Sequence, residues 1–215
     1  MPKEYYEVLK GRVQIDRSRV VALDLETLIT DGKSFLSGEK IIAISLSYHP
    51  GKAPTTIATE VRVAEDSTDL AEADLLKWLD GKLAILDPEI IIGYNHTGYD
   101  IPLIQGKIRT FNYGSRPRNI LFYFGTAWCL DMMYVIADDL WKYNGDYYIR
   151  KLDDVVVNER YAGLSLKRVK NLVRLDGKNK GEAIKHLWEN ERETFVKYCE
   201  GDTHDILAIF DDIFS

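Results

Sequence analysis

Residues 20–27 have the sequence Val-Val-Ala-Leu-Asp-Leu-Glu-Thr. Its apolar run predicts a buried β-strand that ends in two acids. Asp24 and Glu26 stand two positions apart, so the alternation of a strand points both carboxylates to the same side. Two acids at the end of an apolar strand cost free energy unless water or a cation solvates them. The pattern therefore predicts a shared cation site, although acids that simply mark a strand end give the same pattern.

Further strands and helices are predicted on the C-terminal side of this strand. Runs rich in apolar and β-branched residues predict strands at 41–48, 55–63 and 90–94, with a turn at 31–38. Helical patterns cover residues 66–87 and 99–109, begin again at 151, and continue from 182 to 214.

The remaining segments are shorter or irregular. A short strand or a helix start is predicted at 127–136, a loop at 112–124 and a polar hinge at 176–181. With strands early and helices dominating later, the fold class is α/β, and we expect a single domain over residues 1–215 in which 1–18 form an N-terminal extension.

A second acidic segment, residues 92–103, leads from a buried strand through a polar loop to Asp100. Asn95 in that loop could donate hydrogen bonds to a substrate. Asp100 stands near a predicted helix start, where a carboxylate is favoured, so capping of the helix is its alternative role.

The third segment, residues 195–207, belongs to the last predicted helix. Tyr198 and Asp202 are four positions apart and therefore share one helix face. A phenolic hydroxyl and a carboxylate can thus reach the same centre. An aromatic at this spacing is also typical of a packed core, and Tyr198 by itself fits both roles.

Taken together, the three segments resemble the DEDDy 3′-5′ exonuclease superfamily, in particular the proofreading domain of family B DNA polymerases. Residues 21–27 resemble its first motif, residues 91–103 its second, and Tyr198 with Asp202 the YxxxD of its third. The resemblance implies an RNase H-like fold, with a central mixed β-sheet flanked by helices.

The same resemblance implies hydrolysis of phosphodiester bonds with two divalent cations, Mg²⁺ or Mn²⁺. It implies metal ligation by Asp24, Glu26, Asp100 and Asp202, with Asp24 shared by both cations, and a water-orienting role for Tyr198. Expected substrate contacts are Thr27, Asn95 and Tyr99. The implied substrate is the 3′ end of single-stranded DNA, from which nucleoside monophosphates are released, with RNA as the alternative. A role in DNA repair follows only by analogy.

Composition is compatible with this activity. The net charge of −6 is unusual for a nucleic-acid partner, but cations held by carboxylates would reverse the sign where the phosphate lies. Neither a membrane span nor a secretory signal is visible, and the two cysteines form no metal-binding pair, so we expect a reducing, cytoplasmic setting. The sequence does not identify protein partners. Because residue 215 follows the third motif closely, we expect a free-standing exonuclease without polymerase segments.

Several other polar residues have structural and functional interpretations. We expect a structural role for Asp131 and solvation of Asp205. His96 and His204 suggest a general base, but the histidine variant of the family that the chain resembles has its His at the position of Tyr198, so we expect His204 at the surface near the site. Two basic sets could contact nucleic acid, although solvated helix faces and core aromatics explain them equally well. They comprise Lys167, Arg168, Lys170, Arg174, Lys178 and Lys180, and Arg116 and Arg118 with Phe111, Tyr113, Phe122 and Tyr123.

Two other classes of protein compete with the exonuclease interpretation. Residues 23–28 and 201–205 resemble the DxDxT and GDxxxD elements of haloacid-dehalogenase-like Mg²⁺-dependent phosphatases, but Glu26 replaces an Asp there and Asp202 falls within a predicted helix. A nucleic-acid-binding module that has the fold without the activity is the second rival.

Overall fold

The computed structural model describes residues 15–29, 38–51, 56–110, 117–145, 151–168 and 179–215. Several features expected from the sequence lie outside those ranges. They are most of the N-terminal extension, the turn at 31–37, and Phe111, Tyr113, Arg116, Lys170, Arg174 and Lys178.

A mixed sheet of five strands in the order β3-β2-β1-β4-β5 forms the centre of the molecule. Its strands are β1 (Val20–Ile29), β2 (Glu39–Tyr48), β3 (Ala58–Val63), β4 (Ile90–Gly93) and β5 (Trp128–Asp131). The pairs β1–β2 and β2–β3 are antiparallel, whereas β1–β4 and β4–β5 are parallel. The first strand therefore occupies the middle of the sheet, at the boundary between its antiparallel and parallel halves.

Seven α-helices are described around this sheet. They are α1 (Asp69–Leu86), α2 (Asp100–Thr110), α3 (Arg118–Thr126), α4 (Met132–Asn144), α5 (Leu152–Val155), α6 (Lys180–Asn190) and α7 (Arg192–Ile213). Two short 3₁₀ turns cover Arg17–Arg19 and Glu159–Tyr161. The predicted α/β class and RNase H-like architecture are confirmed.

Alternate residues of β1 enter different cores on the two faces of the sheet. Val21 and Leu23 pack with α1, α2 and α3, whereas Val20 and Ala22 pack with α4 and α7. The fully buried hydroxyl of Ser47 on β2 donates a 2.9 Å hydrogen bond to Thr203 and joins α7 to the sheet. The acids of β1 have the parity of Val20 and Ala22, so they face α7.

Two sequence predictions about helices were wrong. Residues 182–214 were expected to form one helix, but the chain leaves helical geometry at Glu191 (φ −134°, ψ 58°), between α6 and α7. The hinge at 176–181 was also drawn too long, since a capping box between Asn179 and Glu182 starts α6 at Lys180.

The loop expected at 112–124 is likewise partly helical, because α3 begins at Arg118. Asp80 on α1 accepts hydrogen bonds from Asn119 Nδ2 and from the backbone N–H of Ile120, both at 2.9 Å. Ile120 and Tyr123 then lie one turn apart and pack towards α1. This tertiary contact fixes the helix. No helix in the described ranges is long and apolar enough to cross a membrane.

Candidate metal centre

Three carboxylates converge on the α7 side of the sheet. Asp24 and Glu26 come from β1 and Asp202 from the middle of α7, and one oxygen of each lies within 4.8 Å of the others. The alternation of β1 aims the first two acids, and the next pairs shift register so that Ile42 is an extra residue in β2. Carboxylate oxygens at this spacing suit a hard divalent cation such as Mg²⁺ or Mn²⁺.

An oxygen of Asp24 in this cluster lacks a hydrogen-bond partner among the described residues. Asp24 Oδ2 is buried and accepts no hydrogen bond from the part of the chain that the structure describes. A buried carboxylate oxygen without a partner costs free energy, and a bound cation would remove that cost. The donor set and this oxygen therefore fit a divalent cation.

Burial raises the pKa of both acids of β1, and repulsion by Asp24 adds to the rise for Glu26. Burial raises the pKa of Asp24 to about 6, while the charges of Lys180 and Arg168 act in the opposite direction. Burial and then the charge of Asp24 raise the pKa of Glu26 to about 7. A cation at the cluster would compete with these protons, so its binding should tighten as pH rises.

Asp100 is the fourth acid of the centre. It is the first residue of α2 and is only 3% exposed. Burial, followed by the charges of Asp24 and Glu26, holds its pKa well above the usual value, which shows that it faces the same cluster. It lies outside the close group of three carboxylates. Helix capping alone does not account for a buried acid that faces two others.

The loop between β4 and α2 is shaped by Asp131 at the end of β5. Asp131 accepts hydrogen bonds from the backbone N–H of Asn95 at 2.9 Å and from the hydroxyl of Thr97 at 2.7 Å. Asn95 has a left-handed backbone (φ 62°) and an exposed side chain. These contacts agree with the structural role expected for Asp131.

Thr27 and Tyr99, two of the expected substrate contacts, hydrogen-bond to each other. Their hydroxyls are 2.9 Å apart, and the Tyr99 hydroxyl also donates to Glu39 at 2.9 Å. The pair joins the end of β1 to the loop before α2. Both side chains are only partly buried.

Tyr198 belongs both to a core cluster and to the acidic centre. Its ring packs with Phe195 and Ile184 and is 4% exposed. Its hydroxyl oxygen is buried without a hydrogen-bond partner among the described residues. Burial and then the charge of Glu26 hold its pKa well above the usual value, so the hydroxyl is protonated and faces the acids.

Sequence analysis did not assign Arg168 to the centre. It placed this residue only in a basic set that could contact nucleic acid. Its guanidinium forms an ion pair with Asp202 and lies 5.3 Å from the centre of the Tyr198 ring. Lys180, at the start of α6, also lowers the pKa of both Asp24 and Glu26.

Two further expectations near the third motif were wrong. Asp205 was expected to be solvated but is fully buried, because it accepts hydrogen bonds from the backbone N–H groups of Lys167 and Arg168. His204 was expected at the surface but is 8% exposed, with Nδ1 2.9 Å from Asp205. His96 is fully buried, with no hydrogen-bond partner for either ring nitrogen among the described residues.

The phosphatase interpretation does not fit this arrangement. Asp202 lies ten residues inside α7 rather than after a strand, and Asp100 completes a four-acid centre for which that interpretation has no place.

Comparison with known proteins agrees with the fold and extends the assignment. A family model described as "DNA polymerase family B, exonuclease domain" matches residues 3–122. The match includes Asp24, Glu26 and Asp100 but ends before Tyr198 and Asp202, which the fold itself brings to the other acids. A search of curated proteins found no match.

One solved structure illustrates the likeness. The family B DNA polymerase from the hyperthermophilic archaeon Pyrobaculum calidifontis superposes with a TM-score of 0.62 at 19% identity, over 90% of this chain. The chain matches only 24% of that polymerase. At this identity the likeness establishes the fold alone. The family match over more than half of the sequence goes further: the chain belongs to the family B DNA polymerase exonuclease domains, which are metal-dependent 3′-5′ exonucleases.

Proposed function

We propose that this domain removes nucleotides one at a time from the 3′ end of single-stranded DNA, using two divalent cations, and releases nucleoside monophosphates. The observation that carries the proposal is the group of Asp24, Glu26 and Asp202 oxygens within 4.8 Å of one another, with buried Asp100 facing the same cluster. In this proposal, the described helices and strands form a single domain around that centre.

The four acids divide the work of holding the cations. Asp24, Glu26 and Asp202 would hold one cation, and Asp24 with Asp100 the other. When bound, Mg²⁺ or Mn²⁺ lowers the pKa of an attacking water and neutralises charge on the phosphate. The chain's own contribution is to orient four carboxylates from three separated segments towards one small volume.

Tyr198 and the β4–α2 loop position the other reactants. The protonated Tyr198 hydroxyl has no described partner and can accept or donate a hydrogen bond to the attacking water beside Glu26. In this proposal the exposed amide of Asn95 and the hydrogen-bonded Thr27–Tyr99 pair contact the terminal nucleotide. The distinction between deoxyribose and ribose depends on a contact to the 2′-hydroxyl, so RNA is the alternative substrate. We also propose a cytoplasmic role in DNA repair, by analogy with the DNA-processing family.

The test is a time course on a 5′-labelled single-stranded DNA oligonucleotide with Mg²⁺, Mn²⁺ or EDTA. Matching RNA and a phosphate monoester run beside it. We expect a metal-dependent ladder that shortens from the 3′ end of DNA. Faster degradation of RNA would change the substrate, and intact oligonucleotides with monoester turnover would contradict the proposal.

Variants connect this activity to the acids. We expect Asp24→Ala and Asp202→Ala each to lower the rate at least a hundredfold, on the order of the contribution of a catalytic charge cluster. The matched control is Asp74→Ala, which removes an exposed carboxylate of α1 that forms an ion pair with Lys77 and should retain full activity. Full activity in Asp24→Ala would refute the assigned mechanism.

A further inference from the structure

Arg168 places a positive charge directly on the candidate metal centre. Its guanidinium forms an ion pair with Asp202, and its Nε donates to Asp153 at 2.8 Å. The side chains of Arg168 and Asp202 are only 9% and 7% exposed. The guanidinium also lies above the ring of Tyr198, 5.3 Å from its centre. Such a partly desolvated pair interacts more strongly than one at the surface.

The backbone at Arg168 is fixed by α7. Both oxygens of the fully buried Asp205 accept hydrogen bonds, at 2.7 Å each, from the N–H groups of Lys167 and Arg168. Gly201 permits this approach, since a Cβ there would lie 3.2 Å from Arg168 Cα. The two hydrogen bonds and the close approach to Gly201 therefore leave the backbone of Arg168 little freedom. The fixed backbone directs the guanidinium to the acids.

The charge of Arg168 also acts on acids of the cluster other than Asp202. It counteracts the burial that raises the pKa of Asp24 and of Glu26, so it stabilises the ionised forms of both. Without a cation, four buried acids face one another, and a fixed guanidinium reduces their repulsion. A bound divalent cation would also reduce the repulsion among these carboxylates.

We propose that Arg168 is an internal counter-ion of the acidic centre, and that a divalent cation which binds at Asp202 must displace its guanidinium. This inference rests on the proposed function, because it assumes that Asp202 ligates a cation. A cation coordinated by the Asp202 oxygen that the guanidinium contacts would lie against that guanidinium, and the two positive charges would repel each other strongly at this distance. The apparent affinity for the cation is then lowered by the fraction of molecules in which Arg168 occupies the site.

The test is the binding of Mn²⁺ to the full chain, followed by the electron paramagnetic resonance of free Mn²⁺ and by calorimetry. We expect Arg168→Gln to bind Mn²⁺ on the order of tenfold more tightly than the wild type. The matched control is Lys167→Gln, which removes the same charge from the exposed neighbouring side chain and should change the Kd less than about twofold. Equal tightening in both variants would reveal general electrostatics and overturn the proposal.

Thermal unfolding gives a second readout. In EDTA we expect Arg168→Gln to melt at a lower temperature than the wild type, and saturating Mn²⁺ to raise its Tm by more than it raises the wild-type Tm. If Arg168→Gln does not fold, Asp153→Asn loosens the guanidinium without removing it, and we expect an intermediate gain in Mn²⁺ affinity.

The outcomes separate this inference from the proposed function. If the wild type binds Mn²⁺ and Arg168→Gln binds it with equal or lower affinity, the counter-ion role is overturned. The proposed exonuclease activity is not affected by that outcome. No Mn²⁺ binding by the wild type, by Arg168→Gln or in their mixtures with a DNA oligonucleotide overturns both.

Discussion

Asp131 Oδ1 accepts a hydrogen bond from the backbone N–H of Asn95 at 2.9 Å and thereby joins the end of β5 to the loop that follows β4. The same carboxylate accepts from the Thr97 hydroxyl and from the backbone N–H of Met133 at the start of α4. One buried acid therefore fixes the path of the chain that leads to Asp100.

Replacing Asp131 should loosen this loop. We expect Asp131→Ala to lower the free energy of unfolding by about 2 to 3 kcal/mol, since three partly buried donors lose a charged acceptor. Asp131→Asn, which retains one acceptor oxygen, should lose less. The exonuclease rate should fall in step with stability, while Mn²⁺ binding through Asp24, Glu26 and Asp202 persists. Chemical denaturation and Mn²⁺ titration measure the two quantities, and wild-type stability in Asp131→Ala would contradict the role.

The left-handed backbone of Asn95 allows its two possible roles to be separated. Asn95→Gly keeps a residue that adopts φ 62° without strain, whereas Asn95→Ala adds strain of about 1 kcal/mol. We expect both variants to raise KM for an oligonucleotide, because both lack the amide, and only the alanine variant to melt at a lower temperature. A wild-type KM in both would exclude Asn95 as a substrate contact.

Removing the hydroxyl of Tyr198 should affect rate and stability in different ways. Its oxygen is buried without a described partner, so Tyr198→Phe should unfold at the same temperature as the wild type or a higher one. The cleavage rate should fall by about ten- to a hundredfold, because a water-orienting hydroxyl is lost. A marked loss of stability in Tyr198→Phe would instead identify a structural hydrogen bond.

The metal-free protein should lose stability as pH rises through the titration of Glu26. Its pKa is raised from 4.5 to about 7, so the folded state binds a proton that the unfolded state has already lost. The resulting stabilisation is complete below pH 4.5 and disappears as pH rises through about 7.

The non-titrating variant Glu26→Gln isolates this effect. In EDTA, the wild type should become less stable relative to Glu26→Gln between pH 5 and pH 8, by at most a few kcal/mol. Saturating Mn²⁺ should reverse the trend in the wild type, because a cation replaces the proton. A constant stability difference across this pH range would contradict the raised pKa.

Local periodicity was enough to predict much of the site. The spacing of Asp24 and Glu26 on a strand, and of Tyr198 and Asp202 on a helix, fixes which side chains share a face whatever the tertiary fold. It does not say that the strand and the helix meet. The resemblance of the three segments to one exonuclease family supplied that information.

The features that the sequence did not predict have one physical origin. They depend on contacts between segments that carry no local pattern. Arg168 follows a short turn in an aperiodic polar segment, and nothing near it in sequence indicates that Asp205 binds its backbone. Asp205 looks solvated for the same reason, since its partners are 37 and 38 positions away. The break at Glu191 lacks a glycine or proline that would mark it.

The hydrogen bond between Ser47 and Thr203 connects residues that are 156 positions apart, and it anchors the helix that brings Asp202 to β1. Closing so long a loop is entropically slow compared with forming local helices. During refolding from denaturant, helical circular dichroism should therefore recover before the capacity to bind Mn²⁺. A nascent chain would hold Asp24, Glu26 and Asp100 as an incomplete centre, without nuclease activity, until α7 has been synthesised and has docked.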